Sequence, residues 1–96
     1  MRWLLLVPVL GCGPSYDRVE PQEVYDVPPP PGARTVAFQL RWQPELGATV
    51  ELRGAHTVSV DVVDVSESAP FTVTGYAAES DVERLLGGGS WTVRVP

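Results

Sequence analysis

Alternation of apolar and polar residues with a period of two runs through most of the chain beyond residue 34. In residues 35–42, TVAFQLRW, the side chains of Val36, Phe38, Leu40 and Trp42 fall on one face, and Thr35, Ala37, Gln39 and Arg41 on the other. This is the pattern of a half-buried β-strand. Residues 43–47, QPELG, predict a turn, and ATVELR resumes the alternation through Val50 and Leu52. The longest strand signal is HTVSVDVVDV at residues 56–65, where Val58, Val60 and Val62 share a face and Val63 and Val65 take the opposite phase. A phase change inside a strand predicts a β-bulge or a strand that passes from one sheet to another. FTVTGY sets Phe71 and Val73 together, and the chain closes on SWTVRV with Trp91, Val93 and Val95 inward.

One segment breaks the period. Residues 80–83, SDVE, have the spacing of a capping box, in which the Ser80 hydroxyl and the Glu83 carboxylate exchange hydrogen bonds with each other's backbone N–H. About two helical turns are expected, with Val82, Leu85 and Leu86 covering one open end of the sheet and residues 87–89, GGG, as the stop. Five strands and one short helix over residues 35–96 predict a mainly β domain. Two architectures fit: a small Greek-key sandwich, of truncated immunoglobulin-like form, or a small barrel.

The preceding stretch is of another kind. Residues 13–34, GPSYDRVEPQEVYDVPPPPGAR, hold six prolines and four acids, and no period of 2 or 3.6 runs through them. With residue 12 they are expected to form an extended or disordered Pro-rich tether, stiffened as polyproline II at residues 28–31. Before it stands MRWLLLVPVLG, one arginine followed by an apolar run of about ten residues. That is half of what a membrane-spanning helix needs and is the length of an export signal.

The junction between these two stretches, Val9-Leu10-Gly11-Cys12, resembles the lipobox of bacterial lipoproteins. The resemblance implies a signal peptide of residues 1–11, removed by cleavage after recognition of Val9, Leu10 and Gly11. It also implies a diacylglyceryl group on the Cys12 thiol and acylation of the new amine. Two or three chains at about 0.8 kcal/mol per buried CH₂ anchor stably where one is marginal. In that family the residue after the cysteine influences sorting, and Gly13 in place of aspartate implies the outer membrane. The domain map is then residues 1–11 signal peptide, 12–34 lipidated cysteine and tether, and 35–96 β domain.

Composition and charge narrow the partners. The 96 residues carry a net charge of −5, every basic residue is arginine, and none of them cluster. Nucleic acid is not an expected partner. A single cysteine forms no internal disulfide. His56 is the one histidine; in a strand it and Ser59 point to opposite faces, so a triad with Asp61 is not expected, and no enzyme is predicted. No cofactor is implied and no zinc site can be assembled. Asp61, Asp64 and Glu67 are weak candidates for a hard cation, with Glu79, Asp81 and Glu83 as a second acidic group, but neither has a calcium-loop spacing and a solvated acidic surface is expected. Trp42 and Trp91 share the phase of their strands' aliphatic residues and are expected in the core, not on a glycan-stacking platform. The expected function is a lipid-anchored, non-catalytic interaction module in the cell envelope, facing an envelope protein or a cell-wall polymer. Capture of a glycan or Ca²⁺ on the same anchor is the alternative.

Overall fold

The computed structural model describes residues 15–96. They form one curled antiparallel sheet of seven strands with a single short helix, a half-barrel. The strands are β1 (Tyr16–Val19), β2 (Gln22–Glu23), β3 (Ala33–Leu40), β4 (Thr49–Arg53), β5 (Thr57–Val65), β6 (Phe71–Ala78) and β7 (Trp91–Arg94); α1 (Glu79–Leu86) lies between β6 and β7. Their order across the sheet is β1-β7-β4-β5-β6-β3-β2. Within it β4, β5 and β6 are successive hairpin neighbours and β3 returns beside β6, a Greek-key order. Of the two expected architectures the structure is the barrel type: one sheet rolled on itself, not two sheets packed face to face.

The alternation read from the sequence is the alternation of burial. Val36, Phe38 and Leu40 of β3, Val50 and Leu52 of β4, Val58, Val60 and Val62 of β5, Val73 of β6, and Trp91 and Val93 of β7 are all buried in one cluster, with Trp42 packed against it. The phase change in β5 is a bulge: Val62 pairs with Gly75 and Asp64 with Thr74, so Val63 is an extra residue turned outward. Opposite the bulge the two backbones come close. A Cβ on Gly75 would sit 2.5 Å from the Asp61 carbonyl oxygen, which is why the strand carries glycine there.

The helix begins two residues earlier than the capping box implies. Glu79 is its first residue and Ala78 stands at the cap with no side-chain bond, so Ser80 lies inside the first turn. The first N–H is satisfied from elsewhere: Glu79 donates to the Gly32 carbonyl at 3.0 Å. Val82 and Leu85 are buried and close one end of the half-barrel as expected, whereas Leu86 is exposed. Gly88 and Gly89, at φ of 105° and 93°, then turn the chain into β7 through backbone that side chains disfavour.

The largest departure concerns the expected tether. Its residues 16–19 and 22–23 are strands β1 and β2 at the two edges of the sheet, β1 against β7 and β2 against β3. Val19 is in the core. The prolines at residues 28–31 lie in the β2–β3 connection, where Ala33 N–H donates to the Pro30 carbonyl and the Thr35 hydroxyl to the Val27 carbonyl at 2.6 Å. That bond accounts for the burial of Thr35, which the alternation assigned to the outer face. The strand-bearing unit therefore starts at Tyr16 and not at residue 35.

A chain beginning at Thr35 lacks β1, β2 and their core contacts. It is expected to lose cooperative thermal unfolding, while a chain beginning at Gly13 melts in a single transition; circular dichroism on the two proteins checks this.

Candidate functional site

The first and second strands are neighbours in sequence and opposite edges in the sheet. Residues Glu20 and Pro21 carry the chain between them, across the open side of the half-barrel. Three features shape that side. In β1 the alternation turns Asp17 and Val19 inward and Tyr16 and Arg18 outward. Asp17, 4% exposed, accepts from the backbone N–H of Arg41 at 2.8 Å and from the Arg41 guanidinium, so its carboxylate is held at the end of β3. The Arg18 guanidinium reaches the Ser90 hydroxyl at 2.8 Å, fastening the outer face of β1 to the entry of β7.

β2 is shorter than its neighbour and pairs only with Val36 and Ala37, so beyond Ala37 the edge of β3 has no strand on that side. Between this edge and the free edge of β1 lies a cavity of about 520 Å³, lined by Arg18, Val19, Glu20, Gln22, Ala37, Phe38, Gln39 and Thr72. Its walls present two strand edges, a cation and an anion from the same β1 end, and two amide side chains over the apolar Val19 and Phe38. Such a gap offers backbone hydrogen bonding to an extended segment.

A second ionic contact holds the short strand in place. Glu23 is bound by the Arg34 guanidinium through both oxygens, one of them at 2.6 Å from Nη2, and Tyr25 donates its hydroxyl to the same carboxylate at 3.3 Å. The Arg34 hydrogen bonds hold the Glu23 carboxyl below its ordinary value of 4.5, outweighing partial desolvation, with the Arg34 charge and the Tyr25 hydroxyl adding to the effect. Arg34 is correspondingly raised.

The residues singled out in the sequence are distributed differently. Val9, Leu10, Gly11 and Cys12 lie outside the described residues. His56 is exposed in the β4–β5 turn, and Ser59 and Asp61 are exposed on β5. Asp61 accepts from the Thr49 hydroxyl at 3.0 Å. Neither Asp61, Asp64 and Glu67 nor the helix acids form a group of three ligands, since among the described residues no such group exists; Asp81 is paired with Arg84. Trp91 is buried and Trp42 half-buried against the core, each with an enclosed indole N–H that meets no acceptor among the described residues. The groove and the Asp17–Arg41 contact were not anticipated. Their only trace in the sequence is the four-residue alternation of YDRV, in which an inward aspartate disguises the period. Comparison of the chain with family models, with curated proteins and with solved structures finds no match in any of the three.

Replacing Asp17 by alanine strips the partly buried Arg41 N–H of its acceptor and frees β1, at an expected cost of about 1–3 kcal/mol. Asp17→Asn, which keeps one acceptor, recovers part of that loss; urea unfolding measures both. Glu23 has its folded pKa below its unfolded one. Its contribution is therefore complete above the ordinary glutamate range and disappears as pH falls through the depressed folded value. Melting temperature is expected to drop across that acid window, and Glu23→Gln to remove that part of the dependence.

Proposed function

We propose that the chain is a lipid-anchored protein of the bacterial cell envelope that displays a small, non-catalytic β interaction module. The observation that carries this reading is the Val9-Leu10-Gly11-Cys12 junction, directly behind a short apolar run and directly ahead of a polar sequence. A thiol in that setting is the nucleophile that takes the diacylglyceryl group, and cleavage ahead of it frees an amine for further acylation. Among the described residues no helix is long and apolar enough to cross a membrane. Gly13 after the cysteine favours the outer membrane.

The groove on the open side supports the interaction part of the reading. It joins unpaired strand edges to a mixed polar and apolar lining, the chemistry that receives a short extended segment of another protein. The partner is an envelope protein that presents such a segment at the membrane where the lipid holds the domain.

Metabolic labelling with an alkyne fatty acid is expected to mark the wild-type protein and not Cys12→Ser, which accumulates with its signal uncleaved or is released from the membrane; labelling of the serine variant overturns the anchor. A photocrosslinking residue placed at Gln39, in the groove, is expected to capture one envelope protein in cells. Capture no greater than from the exposed Glu51 overturns the groove as the contact surface.

A further inference from the structure

We propose that the end of the half-barrel at which β1 enters rests against the bilayer, with the exposed Leu46 in the interface and the helix end directed away. The inference relies on lipidation of Cys12 and adds to it an orientation. The sheet is already formed at Ser15, whose carbonyl accepts from the Val95 N–H at 2.8 Å. Only Gly13 and Pro14 separate Ser15 from Cys12. At 3.8 Å between successive Cα atoms, the Cα of Ser15 lies within about 11 Å of that of Cys12, whatever path the chain takes. The headgroup layer is itself about 5–8 Å deep on each side of the hydrocarbon. A cysteine whose acyl chains are in the hydrocarbon thus brings the first strand of the domain to the headgroups.

Antiparallel alternation decides which surface arrives with it. β1 starts at this end, β7 finishes there, and β3 turns into β4 and β5 into β6 there, so the turns at residues 41–48 and 66–70 share the end with Tyr16. Tyr16, Arg41 and Pro70 line one depression, which confirms the juxtaposition across the open side. Of the five exposed large apolar side chains among the described residues, Tyr16 at 42% and Leu46 at 68% are at this end, while Tyr25 and Leu86 are at the helix end. Leu46 stands in the turn between β3 and β4 with most of its side chain in solvent. Arg94, which makes no ion pair among the described residues, is at the same end. Glu79, Asp81 and Glu83 are on α1 at the opposite end. Glu45 and Glu67 are exposed in the two turns of the membrane-facing end and offset the Arg94 charge, so the orientation rests on the short link to Cys12 and on the exposed Leu46. The groove then opens sideways, parallel to the membrane plane.

The test uses the full lipidated protein in vesicles of phosphatidylethanolamine with a minor share of phosphatidylglycerol. Leu46→Cys and, as the far-end comparison, Glu83→Cys are labelled with an environment-sensitive fluorophore, and brominated lipids are the quencher. Strong quenching is expected at position 46 and little at 83; equal quenching at the two positions overturns the orientation. A Gly/Ser spacer of ~12 residues after Pro14, with a reach of about 20 Å, is expected to lower quenching at 46 by about twofold or more. Undiminished quenching in the spacer protein overturns the argument from chain length. Mass spectrometry of the same samples separates the two levels. Unmodified Cys12 overturns the anchor and this inference with it, whereas lipidated Cys12 without quenching at 46 overturns the orientation alone.

Discussion

The contact between Asp17 and Arg41 is the constraint around which the half-barrel is organised. A curled sheet of seven strands has two edges, and here the chain itself runs from one edge to the other through two residues. Such a short crossing is possible only if the sheet rolls far enough for β1 and β3 to approach, and the Asp17 carboxylate is what meets β3 on arrival. It takes the first N–H beyond the paired length of β3 together with the guanidinium of the same residue. The carboxylate is almost wholly enclosed while the arginine is largely exposed. The charge therefore stays hydrated through its partner, and the contact acts as a clasp more than as a buried ion pair.

The clasp also explains why the open side is a gap and not a closed seam. Had β2 run the full length of β3, the edge of β3 would be paired and the cavity filled. Instead β2 stops after two residues, fixed by Glu23 and Arg34 at one position, and Asp17 closes the barrel at another. The remaining opening lies between them. Stability and the candidate contact surface thus come from the same short N-terminal segment, and a change that loosens β1 or β2 alters both.

That segment was also the least legible. Residues 35–96 carry most of their structure openly: most inward aliphatic residues, the phase change at Val63 and the inward Val82 and Leu85 of α1 follow from period and phase, whereas the burial of Thr35 and Ala77 does not. Residues 16–23 do not, for physical reasons that can be named. Four residues are too few to establish a period, one inward position is an aspartate, and the prolines around them argue for an extended chain. Nothing local stabilises β1 or β2. β1 exists because β7 offers a free edge, and β2 because β3 does, and both edges are created by residues far along the chain. The capping box at Ser80 erred in the opposite sense, since the Gly32 carbonyl, 47 positions away by numbering, already satisfies the helix start.

The sequence by itself determined the class of the fold and the membership of most of its core, and its run ending at Cys12 is what the proposal of an anchored protein rests on. These depend on neighbours along the chain, which is all that periodicity and motif spacing report. Tertiary structure alone decided that the sheet is a half-barrel and not a sandwich, that the supposed tether is two of its strands, and that a groove lies between its edges. It also decided how little chain remains between Cys12 and the domain. Each of these rests on the rolling of the sheet, which brings residues 17 and 41, or 15 and 95, into hydrogen-bonding distance. No local pattern encodes that approach, because it is set by the summed twist and packing of every strand between them.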